Sequence, residues 1–374
     1  MKFIASKNEL LSNLQALIKV VPTRATIPAI ENFLFEISGN VLKITATDIE
    51  TTLTTKMDLE LVEGNGKVSV GARKLMDILK EFPEQPLTFE FNLDNQEFNI
   101  ITESGKYTLP TFDGEDFPTP AELDENETTE FSIPADVLYR SISKTFFAIG
   151  EDELRPQLTG IFIQLKSDGL TFVSTDAHKL VRFKRMDFTF EEESSFILPK
   201  KPAELIRTIT AKIEDDIIIK FDKKNVIFQL PNFTLSARLI AGQYPDYEAI
   251  IPINNDKKVD IDRESLLGTI RRVSLFANEA SKLVKFKFEN DSVEISAQDI
   301  DFSTSAYEKL PCRYEGQPIE IGFKSTFLIE ILSNLEAAQV TISMSNPEQA
   351  ALVYPTVPEY EEEDELMLVM PLSL

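Results

Sequence analysis

The sequence has little cysteine, histidine or glycine, and no tryptophan. Of its 374 residues, one is cysteine (Cys312), one is histidine (His178) and 13 are glycine. A lone cysteine excludes an intrachain disulfide and a thiolate metal cage, and it favours a reducing compartment. A lone histidine argues against a histidine-based triad or a multi-histidine metal site. We therefore predict no cofactor and no metal, and we expect His178 in a pocket wall or packed surface rather than as a general base.

Long apolar runs are also missing. None approaches the roughly 20 residues that cross a bilayer. The first residues, MKFIASKNELL, are interrupted by Lys7 and Glu9 before an apolar signal-peptide core is complete. No Walker loop or GxGxxG motif follows a predicted strand. We expect a cytoplasmic protein without a nucleotide-binding loop.

The charge is strongly acidic overall but unevenly distributed. The formal net charge is −24, from 38 basic and 62 acidic residues, which alone argues against a protein that coats DNA. Six segments that are predicted to be largely helical nevertheless carry 16 Lys and Arg but only 5 Asp and Glu. These segments are 1–24, 72–81, 137–148, 200–212, 265–276 and 324–335. Because Glu forms helices as readily as Lys or Arg, propensity alone does not explain this bias, and the helices are predicted to offer phosphates a positive surface.

Landmarks recur along the chain with a period of 128 residues. FIASKNELLSNL (3–14) matches FSIPADVLYRSI (131–142) and, more loosely, VDIDRESLLGTI (259–270). Each copy changes from strand alternation to helical spacing, with Leu10, Leu138 and Leu266 in equivalent positions. Asp48 and Asp176 keep the same spacing, and Asp299 follows with a slip of a few residues. The chain is therefore predicted to be a threefold repeat.

The repeat predicts three domains, at 1–120, 128–252 and 258–374. The connecting segments, 119–130 and 251–258, are polar and lack strand alternation. Each domain reads as two halves, and each half has one helix and about four strands joined by short turns. The predicted fold class is therefore α+β: three tandem domains, each with two helices packed on antiparallel sheets.

The recurring carboxylates Asp48, Asp176 and Asp299 allow two interpretations. Grouped carboxylates can act in acid–base catalysis. Each of these three, however, occupies the same position in a different repeat, so we expect them to stabilise turns instead.

Seven segments together resemble the bacterial sliding clamps, the DNA polymerase III beta subunit family. They are MKFIASKNELL, TRATIP with Arg24, LRPQLTG (154–160), STDAHKL (174–180), LIAGQYPDY (239–247), IEIGF (319–323) and VMPLSL (369–374). The resemblance implies a head-to-tail homodimeric ring of six domains around duplex DNA, without sequence specificity. It implies a processivity factor with no catalytic activity, which tethers the polymerase alpha subunit. The clamp loader, other polymerases and repair proteins would also bind, through short linear peptides.

The resemblance also implies roles for individual residues. Matching DNA-facing positions are Arg24, Arg73, Arg155, Lys200, Lys201, Lys282 and Lys324. The matching peptide-binding pocket comprises Leu158, Thr175, His178, Leu180, Pro245, Ile250, Val369, Met370, Pro371 and Leu372. Matching dimer-interface positions are Tyr107, Leu109, Leu275 and Phe276. Departures from many relatives, at Ala177, Lys179, Ala249, Leu372 and Ser373, put the preferred peptide in doubt.

Two other classes of function stay open at this stage. A cytoplasmic hydrolase would need a catalytic group that the single histidine does not provide. A repeat scaffold that binds only proteins would share the fold but would not need basic helices.

Overall fold

A computed structural model describes residues 1–92 and 95–374 of the protein. They form two compact units, one of Met1–Tyr139 with Glu204–Leu239 and one of Arg140–Ala203 with Ile240–Leu374. Among the described helices, none is both long and apolar enough to cross a membrane.

Six times in the described part of the chain, a strand leads into a helix and then into three antiparallel strands. In the first repeat the elements are β1 (Lys2–Ser6), α1 (Lys7–Leu17), a 3-10 turn (Pro28–Glu31), β2 (Asn32–Ser38), β3 (Val41–Thr47), β4 (Thr51–Asp58), β5 (Val62–Glu63), β6 (Gly66–Gly71), α2 (Ala72–Glu81), β7 (Pro86–Asn92), β8 (Glu97–Ile101) and β9 (Lys106–Asp113). In the second they are β10 (Thr129–Pro134), α3 (Ala135–Phe146), a 3-10 turn (Pro156–Leu158), β11 (Gly160–Lys166), β12 (Gly169–Thr175), β13 (Lys179–Arg185), β14 (Ser194–Pro199), α4 (Lys200–Thr210), β15 (Asp216–Phe221), β16 (Asn225–Gln229), β17 (Phe233–Arg238) and a 3-10 turn (Glu248–Ile250). In the third they are β18 (Lys257–Asp262), α5 (Arg263–Val273), a 3-10 turn (Ser274–Phe276), β19 (Leu283–Glu289), β20 (Ser292–Asp299), β21 (Thr304–Pro311), β22 (Arg313–Tyr314), β23 (Ile319–Lys324), α6 (Ser325–Asn334), β24 (Gln339–Met344), β25 (Ala351–Pro355) and β26 (Glu363–Val369). The predicted half-domain, one helix with about four strands, is confirmed.

Side-chain caps mark the change from strand to helix in the first and third repeats. Ser6 Oγ accepts a hydrogen bond from Glu9 N at 3.4 Å, and Asp262 Oδ1 accepts one from Ser265 N at 2.8 Å. Each cap satisfies a backbone donor that the first helical turn leaves free. The apolar residues at helical spacing are buried, with Leu10, Leu14 and Leu17 in α1 and Leu266, Ile270 and Val273 in α5.

Antiparallel pairing joins neighbouring repeats into continuous sheets. In the first unit, β17 pairs with β4, with Leu235 opposite Leu53, and thirteen strands form one sheet. In the second unit, β13 pairs with β26, with Val181 opposite Met367, in a sheet of nine strands. A four-stranded sheet, β21-β20-β19-β23, completes this unit. The strands of the middle repeat are therefore divided between the units, with β10 and β15–β17 in the first and β11–β14 in the second.

Phenylalanine rings fill the core of the first repeat. Phe33 and Phe35 on β2 and Phe89 and Phe91 on β7 are all buried, as their alternation predicts. Phe3 stacks on Phe89 with 4.8 Å between ring centroids. Stacked aromatic pairs contribute about 0.5–1.5 kcal/mol each beyond the burial of apolar area. This core holds α1 and α2 against the sheet.

Candidate functional site

A tight turn after β12 organises the segment that carries the only histidine. Asp176 Oδ1 accepts hydrogen bonds from the backbone N–H groups of His178 and Lys179, both at 2.9 Å. Thr175 Oγ1 accepts from Ala177 N at 3.0 Å and donates to Lys179 O at 2.6 Å. These bonds hold Ala177 in the left-handed region, at φ +73°, where a Cβ is unfavourable. The turn leaves His178 exposed at its tip.

The equivalent turns in the other repeats use the same carboxylate chemistry. Asp48 Oδ1 accepts from Thr51 N at 2.7 Å, next to Ile49 at φ +83°. Asp299 Oδ1 accepts from Asp301 N at 2.9 Å and from Phe302 N at 3.2 Å. The prediction that these aspartates stabilise turns is confirmed.

The predicted pocket residues divide into buried and exposed groups. Leu158 and Leu180 are buried in one apolar cluster with Tyr244, Tyr247 and Leu368. The side chains of Pro245, Ile250 and Met370 are exposed at the surface of the same unit. Thr175 is buried, and Val369 belongs to the neighbouring core cluster. A buried apolar base with exposed apolar side chains suits a docking surface for a short peptide.

Backbone hydrogen bonds hold the C-terminal residues against this turn. Met370 N donates to His178 O at 2.9 Å, and Leu372 N donates to Gly322 O at 2.8 Å. Pro371 is half-buried between them. The His178 ring stacks on Phe327 of α6, with 5.8 Å between centroids. The structure thus places three of the predicted pocket residues, His178, Met370 and Leu372, close together on the surface of the second unit.

The predicted DNA-facing cations occur in both units. Arg24 and Arg73 are exposed in the first unit, and Arg73 Nη2 donates to Val21 O at 3.3 Å. In the second unit, Lys201 is half-buried in α4, and Lys324 Nζ lies 4.8 Å from the centroid of the Phe327 ring. The remaining three have carboxylate partners: Arg155 with Asp152 at 2.9 Å, Lys200 with Glu151 at 2.7 Å and Lys282 with Glu279 at 2.5 Å. Exposed ion pairs are weak, so a phosphate oxygen can replace these partners.

Two of the helical cations are not available to a ligand. Arg140 of α3 binds three carboxylates, Glu336 and Glu359 at 2.6 Å and Glu363 at 2.8 Å. Lys144, one helical turn later, is buried and lies 3.3 Å from Glu365. The prediction that the basic helices offer phosphates a positive surface is therefore wrong for Arg140 and Lys144 of α3, because carboxylates of the third repeat bind both cations.

The predicted interface residues differ in exposure. Leu275 is 82% exposed and Phe276 is 40% exposed, both in the 3-10 turn after α5. Tyr107 is exposed on β9, and its ring meets that of Phe82 edge-on at 5.0 Å. Leu109 is buried, so it can support β9 but presents little surface to a partner.

Comparison with known proteins covers nearly the whole chain. Residues 1–121, 132–246 and 248–372 match the N-terminal, central and C-terminal domains of the DNA polymerase III beta subunit. The beta sliding clamp of Pseudomonas aeruginosa is 30% identical over 376 residues, with all of both chains covered. The chain belongs to the DNA polymerase III beta subunit family. It is a DNA sliding clamp that acts in DNA replication.

Solved structures agree with this assignment. The crystal structure of the Pseudomonas aeruginosa sliding clamp bound to griselimycin has a TM-score of 0.94, with 28% identity and full coverage of both chains. The Bacillus subtilis sliding clamp, at 24% identity and a TM-score of 0.93, has the same fold. The predicted family and fold class are confirmed.

Sequence reasoning did not identify Phe327 as part of this surface of the clamp. Its ring contacts His178, and Lys179 Nζ and Lys324 Nζ lie 4.9 and 4.8 Å from its centroid. No local signal indicates this, because the contacts join α6 to a turn about 150 residues earlier in the chain. Lys179 is buried between Asp176 at 2.7 Å and Glu330 at 3.0 Å.

Proposed function

We propose that two copies of the chain close head to tail into a ring around duplex DNA. Each copy would contribute three domains, at 1–120, 128–252 and 258–374. In this proposal the ring is a processivity factor with no catalytic activity of its own. It would hold DNA by surrounding it, in the cytoplasm, and tether the replicative polymerase.

Open strand edges support the proposed seam. In the third repeat, β21 pairs only with β20 among the described residues, so its outer edge is free to add a strand. In the first repeat, residues Lys106–Pro110 of β9 pair with β8 along one edge, and Thr111–Asp113 pair with β6 along the other. The edge of Lys106–Pro110 that faces away from β8 therefore has no strand partner in the described ranges. Two free edges can join into one sheet across a dimer interface.

Exposed apolar side chains beside these edges are the main support for the proposal. Leu275 and Phe276 follow α5, and Tyr307 projects from β21 with 71% of its surface exposed. On the first repeat, Phe82 and Tyr107 line a concave site of about 480 Å³. Exposed apolar side chains at a sheet edge are typical of protein interfaces. We infer that Leu275 and Phe276 of one copy pack against this site of the other.

A loading assay tests the ring. The protein is loaded on a nicked circular plasmid with a clamp loader and ATP, and the DNA is then linearised. We expect retention on the circle and loss from the linear form, because a ring slips off open ends. Retention on both forms, or on neither, contradicts the proposal.

Replacing Arg24 and Arg73 by alanine is expected to weaken binding to any duplex sequence. A plot of log affinity against log salt has a negative slope of about 0.9 per phosphate contact, so removing two contacts should make it less steep by about 2. Fluorescence anisotropy with a labelled duplex across KCl concentrations measures the slope. The matched control replaces the exposed cations Lys223 and Arg313, which makes the same change in net charge. Equal slopes in the two variants would remove these arginines from the proposed DNA surface.

For partner binding, we propose the surface formed by the predicted pocket residues. It would take short linear peptides from the polymerase alpha subunit, the clamp loader, other polymerases and repair proteins. The exposed side chains of His178, Ile250 and Met370 over a buried apolar cluster support this role. Such surfaces bind through a few anchors in apolar sites.

Replacing Ile250 by alanine is expected to weaken peptide binding at least tenfold, which is about 1.4 kcal/mol. The side chain is 54% exposed, so the fold should tolerate the change. Ile253, at 92% exposure three residues later, provides the control. Calorimetry with a peptide of the alpha subunit's clamp-binding segment measures both variants. The proposed role of Ile250 fails if Ile253→Ala loses as much affinity.

A further inference from the structure

A cavity of about 410 Å³ lies in the second unit and shares no lining residue with the candidate peptide surface. Its walls come from α3, from Met186, from Glu336 and Ala337 between α6 and β24, from the end of β25, from the loop that follows β25, and from the first residues of β26. Six carboxylates line it, but only two cations, Arg140 and Lys144. We call it the acidic cavity.

Both cations of the acidic cavity are already bound to its carboxylates. Arg140 is the donor to Glu336, Glu359 and Glu363. Lys144 Nζ lies 3.3 Å from both Glu336 and Glu365. Outside the lining, Arg182 pairs with Asp364, and Arg185 lies 3.7 Å from Glu363. Six carboxylates still outnumber these four cations, so the cavity keeps an excess of negative charge.

Glu365 shows where this excess is least compensated. Its side chain is only 6% exposed, and one oxygen, Oε2, lies 3.3 Å from Lys144 Nζ. The other oxygen, Oε1, is buried without a hydrogen-bond partner among the described residues. A buried acceptor without a donor is unfavourable, so a ligand that supplies a donor is stabilised there. Burial also raises the pKa of Glu365 to about 7.

The chemistry of the walls selects an organic cation. Residues 1–92 and 95–374 contain no group of three or more His, Cys, Asp or Glu arranged to hold a metal ion. The cavity instead combines carboxylates with the apolar surfaces of Met186, Tyr354 and Leu366. Lysine and arginine side chains have this dual character, because an aliphatic stem carries a charged head.

We propose that the acidic cavity binds a lysine or arginine side chain of a partner protein. The cationic head pairs with the carboxylate of Glu365, and the stem packs on Met186, Tyr354 and Leu366. Glu361, an exposed lining residue with no hydrogen bond or ion pair in the described part of the chain, adds attraction from the solvent side. Charge complementarity of this kind favours basic segments and repels acidic ones.

Binding should tighten as pH rises from 6 to 8. A cation binds the ionised form of Glu365, and burial holds the pKa of this group at about 7. The charged groups that face it are Arg140, Lys144, Glu336, Glu359, Glu361, Glu363 and Asp364 in the cavity lining, with Arg182 and Arg185 on the neighbouring strand β13. The same titration should be absent in the variant Glu365→Gln.

Methyl NMR on the full-length protein tests the proposal, because methionines report both surfaces. Met186 lines the acidic cavity, whereas Met370 lies at the candidate peptide surface. The protein carries ¹³C-methyl methionine, and Met186→Leu assigns the signal. The probe is the blocked peptide acetyl-Leu-Arg-Leu-amide, and its citrulline analogue is the neutral control of the same shape. We expect a saturable shift at Met186 for the arginine peptide and at least tenfold weaker binding of the citrulline peptide.

Variants separate the charge of the cavity's lining residues from the charge of carboxylates close to it in the sequence. Glu365→Gln and Glu361→Gln should each weaken the arginine peptide at least threefold. Glu362→Gln, an exposed neighbour outside the cavity, makes the same charge change and should leave affinity unaltered. Glu361 is exposed, so its variant is informative even if Glu365→Gln changes the fold.

Three results would overturn the proposal. The citrulline peptide could bind as well as the arginine peptide, or the shift could appear at Met370 and not at Met186. Spermidine could bind more tightly than the peptide, which would assign the cavity to a free polyamine. Each result concerns the acidic cavity alone and leaves the loading assay for the ring unaffected.

Discussion

Replacing Leu275 and Phe276 by aspartate is expected to convert the clamp from a dimer to a monomer at low micromolar concentration. Burying each side chain in an interface contributes about 1.5–3 kcal/mol, and the new carboxylates would also have to lose water in an apolar site. The dimer dissociation constant should therefore rise at least a thousandfold. Sedimentation velocity over a concentration series measures the change, and loading on circular DNA should be lost with it.

The position of these residues makes the result easy to interpret. Leu275 is 82% exposed and Phe276 is 40% exposed, so the substitutions remove little from the core of the third repeat. The monomer should keep the secondary structure of the unaltered protein, as circular dichroism would measure, although it loses the stability that dimerisation adds. Leu154→Asp is the matched control, since Leu154 is 91% exposed but outside the proposed seam. A double variant that still sediments as a dimer would contradict the proposed interface.

Local patterns in the sequence predict the half-domain well. The stripe of Leu10, Leu14 and Leu17 predicts α1, and the alternation of Phe33 and Phe35 predicts a strand with a buried face, because both features depend on neighbours in the chain. The repeat adds long-range information, since Asp48 and Asp176 make the same turn 128 residues apart. The periodicity of apolar residues and the internal repeat were sufficient to predict the fold class.

Pairings between repeats could not be predicted in the same way. Nothing near Leu235 indicates that β17 pairs with β4, and nothing near Val181 indicates that β13 pairs with β26. These contacts join strands that are about 180 residues apart, and their register depends on complementary surfaces rather than on spacing. The charge of α3 raises the same difficulty. Its basic residues predict a positive surface, but Arg140 is bound by carboxylates that are more than 190 residues away in the chain, and local sequence does not reveal them.

Replacing Arg140 by methionine is expected to cost about 3–5 kcal/mol of unfolding free energy in the second unit, as is typical when one partner of a buried ion pair is removed. Methionine keeps much of the apolar stem but leaves Glu363, whose side chain is 4% exposed, without its bond from Arg140 Nε. Arg185 is the other cation near Glu363, with Nη1 3.7 Å from Oε1, which is too far to replace a bond of 2.8 Å. The variant should therefore open β26 locally before the rest of the unit unfolds.

Hydrogen exchange followed by mass spectrometry measures this local opening, and urea denaturation measures the loss of stability. Arg272→Met is the control, because Arg272 is 62% exposed and binds the single carboxylate of Glu308 at 2.7 Å. An exposed pair of that kind contributes little, so the control should lose much less stability than Arg140→Met and should leave exchange in β26 unchanged. If the two variants lose equal stability, the three carboxylates around Arg140 are solvated well enough to stand without it, and α3 is held to the third repeat by its apolar contacts alone.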